Sequence, residues 1–343
     1  MNAKDKFLKT IEGENHDIPI FNPAIYDYKV NFSNTSLNVF GQSESELIEA
    51  IEKEIDLLQS EVVTCGYDIY NIEAEALGAK IVRKDEDIFP EIMDPLIKNL
   101  NEIDNLPVLK ELAGRMPLFI KATKSLSEKY HDRVYVRGAV SGPFSLAGRL
   151  YSNDQLIVDC MLNPQGIYQL LEYCTDIIIT HLRGYIDENQ DVVIFDSLSS
   201  PPLISPEIYS DLILPFHQRI FKFLKDNGVQ IRPLIMGGNT LPIMDNLTKT
   251  GANQYLLDYI IPLKDIKSVL DQYNLAFRIN LDPALVAQTN QNHIVDQMEQ
   301  IFKFLGHRPN LIIGTGILLK NTPLENIQFI RDFIVNYYSN IFK

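Results

Sequence analysis

Only three cysteines, Cys65, Cys160 and Cys174, occur in 343 residues, and their spacing gives neither a disulfide framework nor a Cys-x-x-Cys metal clip. No apolar stretch approaches the ~18 residues that a membrane span needs. The opening residues, Met1 to Lys6, lack the apolar core of a secretion signal. Cations are scarce as well: 31 Lys and Arg stand against 45 Asp and Glu, a formal charge of −14. Without a basic run to neutralise phosphates, nucleic acid and anionic membranes are excluded as expected partners. There is no His-Glu-x-x-His, no Gly-x-Gly-x-x-Gly turn after the first strand and no Gly-x-Ser-x-Gly elbow. The six histidines (His16, His131, His181, His217, His293 and His307) fall in expected loops or helices, with no Cys or carboxylate at metal-ligand spacing. Each reads as a surface or helix-face histidine. These absences leave the expectation of a reduced, cytoplasmic protein that handles a small molecule.

What the chain does have is core. Apolar residues make up 45% and charged residues 22%, close to the globular average. Eight short β-branched runs end in turn residues: Ile18–Ala24, Tyr67–Ile72, Val134–Val140, Val192–Leu198, Val229–Met236, Gln254–Asp258, Leu275–Leu281 and Leu311–Gly314. Most are apolar almost throughout, as strands covered on both faces should be. Helical patterns with legible starts lie between them. Ser43 and Glu46 have capping-box spacing, and Leu47, Ile48, Ile51, Ile55 and Leu58 then share a face. Ser205-Pro206 and Thr322-Pro323 each place an N-cap before a first-turn proline. The alternation, unbroken by any linker, predicts a single α/β domain over residues 1–343: a (β/α)8 TIM barrel with extra N-terminal helices. Some sixty residues between the second and third runs form an insertion, with a small hairpin expected near Ala79–Val82.

Barrel chemistry belongs to the carboxyl ends of the strands. That rule selects Asn22, Asn71, Glu73, Ser141, Gly142, Asp196, Ser199, Gly237 to Thr240 (with Asn239), Asp258, Tyr259, Asn280, Asp282, Thr315 and Gly316. Glu73 and Glu75, two apart on a chain expected to be extended, would share a face, and a buried pair of carboxylates suits proton transfer. Equally, one could enter the site while the other is solvated or caps the next segment. Asp196 and Asp258 could bind substrate or accept turn N–H groups. Gly314-Thr-Gly316 is too short to mark a phosphate site and reads first as a tight turn.

Tyr67-Asp-Ile-Tyr-Asn-Ile-Glu-Ala-Glu-Ala-Leu-Gly78, Gly142-Pro-Phe-Ser-Leu-Ala147, Leu203-Ile-Ser-Pro-Glu-Ile-Tyr209, Gly238-Asn-Thr240, Asn280-Leu-Asp-Pro283 and Gly314-Thr-Gly316 occur in an order and spacing that resemble the uroporphyrinogen decarboxylase superfamily. The resemblance is to its methylcobamide:thiol methyltransferase-like branch and implies the same barrel. The decarboxylases' Arg-rich loop has no counterpart in Asn22 to Val30, so the forks that would hold a porphyrinogen's carboxylates are missing. The branch's thiol-activating zinc ligands, His-x-Cys and a later Cys, fall on Ile235, Gly237 and Ile317. The resemblance, so altered, implies methyl transfer between a small O- or N-methyl substrate and a corrinoid or corrinoid protein, with no zinc. Glu73, Glu75 or Tyr259 would then protonate the leaving group. Asn22, Asn71, Arg137, Asp196, Ser199, Asn239, Asp258, Asn280, Asp282 and Thr315 would bind substrate. Two readings stand beside it: a cofactor-free decarboxylase or lyase with Arg137 or Arg232 as carboxylate clamp, and a non-catalytic ligand-binding homologue. The resemblance also raises a homodimer, for which the sequence shows no self-complementary surface.

Overall fold

A computed structural model describes residues 1–84 and 89–341. Its strands are β1 (Ile20–Ala24), β2 (Val62–Cys65), β3 (Ile81–Val82), β4 (Glu91–Ile92), β5 (Tyr135–Ser141), β6 (Val192–Phe195), β7 (Leu234–Ile235), β8 (Gln254–Leu257), β9 (Ala276–Leu281) and β10 (Leu311–Ile317). β3 and β4 pair antiparallel as the expected hairpin. The other eight are parallel, alternate with helices and form two four-stranded halves, β2-β5-β6-β7 and β8-β9-β10-β1. At one seam Pro233 bridges Gln254, and the Asn253 N–H donates to the Arg232 carbonyl. At the other, β1 and β2 lie side by side. This is the expected (β/α)8 barrel.

Side-chain alternation sorts the interior into tiers. Ile20, Val62, Tyr135, Ile231 and Ile312 cluster at the amino ends of the strands, where Phe7 of the helix Ala3–Glu12 packs among them. That helix starts at Asn2, which accepts the Asp5 N–H, and ends at Gly13 in the left-handed region. Nearer the carboxyl ends, Ala139, Val193, Phe195, Ile235 and Leu256 form a second apolar cluster with Ile69. Outside, helices cover the strands, so every residue of β1, β2 and β5 to β9 is buried.

Two of the three expected caps form. Ser43 accepts the Glu46 N–H at 3.4 Å and Ser205 accepts that of Ile208 at 3.3 Å. The Thr322 hydroxyl is instead buried without a hydrogen-bond partner, and its helix starts at Leu324. After Ser205 the helix widens into a π turn over Tyr209–Ile213 before Leu214–Asp226. Pro215 has no N–H to donate and its ring crowds the carbonyl a turn back, which a wider turn relieves.

The second strand is a correction. It is Val62–Cys65, while the expected run Tyr67–Ile72 forms a 3-10 turn at Ile69–Asn71 and opens the helix Ile72–Ala76. Asp68 there sits at φ +54°, in the left-handed region, which breaks any extended run. Glu73 and Glu75 therefore lie on a helix, not on a shared face of a strand.

Candidate active site

The carboxyl ends of the strands surround a cavity of about 450 Å³. Tyr26 and Asp27 reach it from the turn after β1, and Asp68, Tyr70 and Asn71 from the turn after β2. Phe89 comes from the insertion and Arg149 from the helix Pro143–Leu150. Ser197, Gly237, Asp258 and Tyr259 follow β6, β7 and β8, and Arg278, Asn280, Thr315, Gly316 and Ile317 complete the wall.

Seven of the sequence-selected residues meet here: Asn71, Gly237, Asp258, Tyr259, Asn280, Thr315 and Gly316. Asp258 is braced on both oxygens, accepting the Gly238 N–H at 2.9 Å on one and the Tyr259 N–H at 3.0 Å and Asn280 Nδ2 at 3.1 Å on the other. Asn280 thus keeps its Oδ1 free. Asn71 Nδ2 donates to Asp68 at 2.5 Å and to the Pro90 carbonyl at 2.9 Å, which leaves its Oδ1 unpartnered too. Thr315 Oγ1 accepts the Ala24 N–H at 3.0 Å and ties β10 to β1. Burial, with Asp258 and Asp282 near, raises the Tyr259 phenol's pKa.

The other selected residues are not on the cavity wall. Glu73 is fully buried, where it accepts Ser141 Oγ at 2.8 Å and meets His181 Nδ1 at 2.8 Å. Glu75 pairs with Arg115 and, at 3.5 Å, with Arg83. Asp196 is also fully buried: it accepts the N–H groups of Phe144 at 3.3 Å and Ser145 at 2.7 Å, and meets His217 Nε2 at 2.8 Å. Its carboxylate therefore sits on the amino end of Pro143–Leu150, where the helix dipole favours an anion. Gly142 makes room for it, since a Cβ there would lie 2.3 Å from Asp196 Cβ and Cγ. Ser199 donates to the Asp196 carbonyl at 2.6 Å. Asn239 and Asp282 cap local turns, accepting the N–H groups of Leu241 and Ala284. Asn22 and Arg137 are buried inside the barrel, and Arg232 spends its guanidinium on the carbonyls of Val229, Gln230 and Gly251.

Two histidines are on helix faces, as one of the two readings expected, but those faces turn inward. His181 and His217 are both fully buried and paired with Glu73 and Asp196, carboxylates 108 and 21 residues away in sequence. His217 Nδ1 also meets the Tyr209 hydroxyl at 2.8 Å.

The sequence selection missed Asp27. Burial pushes its carboxyl up to about 7, Lys29 opposes that and Asp68 adds to it. Lys29 is committed elsewhere, to Glu54 at 3.2 Å and to the Ile25 carbonyl. Asp68 bonds to Arg115 at 2.6 Å, yet its burial still raises its pKa. A carboxyl that is half-protonated near neutrality and faces a cavity has the equipment of a general acid. The signal was present in the sequence: Asp27 follows the first strand, at the carboxyl end where barrel chemistry lies.

Fold and site together define a (β/α)8 barrel with an enzyme-like cavity at its carboxyl mouth. A family model described as uroporphyrinogen decarboxylase (URO-D) matches residues 2–337, and the chain belongs to that family. The methylcobamide:CoM methyltransferase MtbA of Methanosarcina mazei is 30% identical over 282 residues, 81% of this chain and 80% of that protein. The uroporphyrinogen decarboxylase of Nostoc punctiforme is 27% identical over 250 residues, 70% and 68% of the two chains. A solved methyltransferase from Methanosarcina mazei shares the fold, with a TM-score of 0.84 over 98% of this chain and 99% of its own at 20% identity. Both kinds of relative are enzymes, and a methyltransferase-like enzyme is the class they support.

Ile235, Gly237 and Ile317, on which the resemblance places zinc ligands, all line this cavity. Their side chains offer no donor atom, and among the described residues no group of three His, Cys, Asp or Glu is set to hold a metal ion. All three cysteines are buried elsewhere, with burial pushing Cys65 up to about 12 and Cys160 to about 11. These residues do not fit the branch's zinc. Among the described residues no helix is long and apolar enough to cross a membrane.

Proposed function

We propose that the protein moves a methyl group between a small O- or N-methyl substrate and a corrinoid, without a thiol-activating zinc. One observation carries this reading: the three positions of the branch's metal ligands converge on the cavity as Ile, Gly and Ile, while the same cavity presents Asp27 with a pKa near 7. A thiol acceptor at this site would lack the metal that lowers its pKa. A leaving oxygen or nitrogen needs something different, a proton, and Asp27 holds one. The corrinoid, as second substrate, supplies the nucleophile that accepts the methyl.

The remaining groups position the methyl donor. Asn280 Oδ1 and Asn71 Oδ1, each unpartnered, accept N–H or O–H from it. Tyr26, Phe195 and Leu256 give its methyl an apolar wall that excludes water. Ile260, Ile317 and Leu319 are more than half exposed beside the mouth, an apolar rim on which a corrinoid or its carrier protein seats. After transfer, Asp27 is left ionised and regains its proton from solvent through the mouth.

Arginine in the wall favours one alternative. Arg149 and Arg278 suit a cofactor-free decarboxylase acting on a small acid. The test is to supply reduced corrinoid and a panel of O- and N-methyl compounds, and to measure methylated corrinoid and released CO2 together. Methylated corrinoid that disappears in Asp27→Asn supports methyl transfer. CO2 release without corrinoid overturns it in favour of the lyase, and binding with neither product leaves a ligand-binding homologue.

A further inference from the structure

Between the two apolar tiers of the barrel interior lies a polar one. Asn22, Thr64 and Arg137 each stand two residues beyond a member of the lower cluster (Ile20, Val62 and Tyr135), so strand alternation turns them inward above it. Gln254 stands two before Leu256 of the upper cluster, and Arg278 two before Asn280 of the cavity wall. This tier is rich in cations and donors and poor in acceptors.

Arg137 is fully buried, and its one hydrogen bond is a long contact of Nε with Thr64 Oγ1, 3.3 Å. Both of its terminal nitrogens are unpartnered. Its guanidinium lies 5.4 Å from the Phe7 ring centroid and 5.9 Å from that of Tyr135, which stabilises a cation but does not neutralise it. Arg278 is 2% exposed, its Nε has no partner, and Asn22 Nδ2 has none. Gly314 lets Arg278 lie flat across β10, since a Cβ there would come within 2.7 Å of its Cδ. Against these four idle donors the tier offers a single idle acceptor, Gln254 Oε1. Among the described residues no carboxylate bonds to either guanidinium. A buried charge of this kind is strongly unfavourable unless something compensates it.

We propose that Arg278, with Arg137 and Asn22 behind it, is an anion site at the floor of the cavity, and that it takes the carboxylate of the substrate. Arg278 is the one of the three that also lines the cavity, so a ligand entering from the mouth meets it first. The methyl donor is then a small organic acid, with its carboxylate down on the arginines and its methyl group up beside Asp27. The inference rests on the cavity being the substrate site, but not on which reaction occurs there.

The test is calorimetric titration and thermal shift on the full-length protein in low-chloride buffer. The probes are methoxyacetate, its uncharged amide and chloride. The site predicts that methoxyacetate binds and raises the melting temperature, that the amide binds about ten-fold more weakly or not at all, and that Arg278→Met loses about ten-fold in affinity for the acid alone. Arg137→Met is a second variant, but the acid-to-amide comparison needs only wild type, so a misfolded variant does not blunt the test. Equal binding of acid and amide, or an unchanged affinity in Arg278→Met, overturns the proposal. Chloride binding as tightly as the acid overturns the substrate carboxylate in favour of a free inorganic anion. Acid binding without methyl transfer keeps the anion site and removes the proposed reaction, whereas methyl transfer from uncharged donors that Arg278→Met leaves intact does the reverse.

Discussion

In the proposed reaction Asp27 donates the proton to the leaving group, and its titration makes two predictions. Its pKa moves from 3.8 to about 7 mainly because burial penalises the carboxylate. The folded state therefore binds this proton more tightly than the unfolded chain does. That contribution to stability is complete below pH 4, declines as pH rises toward 7 and is gone above it. Asp27→Asn cannot ionise, so it should match wild type near pH 4 and exceed it by roughly 2–4 kcal/mol above pH 7 in urea unfolding. A stability difference that does not depend on pH would place the raised pKa elsewhere. Methyl transfer, in contrast, needs the protonated acid, so its rate should fall about ten-fold per pH unit above 7. The same Asn variant should lose roughly a hundred-fold or more in turnover. A flat rate profile from pH 6 to 9 would remove Asp27 from proton donation. Asp27 shows what a sequence conceals: its place after β1 was legible, but its burial and the second carboxylate beside it were not.

At the scale of elements, the barrel was readable because its strands are short, apolar and bounded by turn residues. The second strand was misplaced for a physical reason. Val62–Cys65 has only four residues, while Tyr67, Ile69 and Ile72 imitate a longer strand in a segment that the left-handed Asp68 actually turns. Ile69 is apolar because it packs in the barrel's upper cluster, not because it is in the sheet. The buried pairs His181–Glu73 and His217–Asp196 were illegible for another reason. Each joins a helix to a distant element, and nothing local says which helix face turns inward. The joint between β6 and the helix Pro143–Leu150 depends on Gly142. Gly142→Ala forces its Cβ onto Asp196 and should cost about 2 kcal/mol or more. Gly237→Ala is the control, since the nearest atom to a Cβ there is 3.7 Å away, and its stability should stay within about 0.5 kcal/mol of wild type. Equal losses at the two glycines would contradict the close approach of Asp196.

At the scale of the whole molecule, a largely apolar cavity with Ile260, Ile317 and Leu319 exposed beside its mouth opens in a chain of formal charge −14. If a carrier protein delivers the corrinoid to this rim, Ile260→Glu with Leu319→Glu should slow transfer with carrier-bound corrinoid about ten-fold. Free cobalamin should be affected much less, and the melting temperature should not change, because both side chains are exposed. Equal loss with both acceptors would place these residues in the site itself rather than at a docking surface. The order and spacing of the motifs pointed to the right family, but family does not fix reaction, since the relatives of this chain include both decarboxylases and methyltransferases. The direct test is to incubate the metal-stripped protein with cob(I)alamin and a small O- or N-methyl acid, and to follow methylcobalamin by its absorbance. Zinc-independent methylation, unchanged on adding zinc and lost in Asp27→Asn, is the predicted result. Silence without zinc, followed by zinc-dependent transfer from methylcobalamin to a thiol, would contradict it.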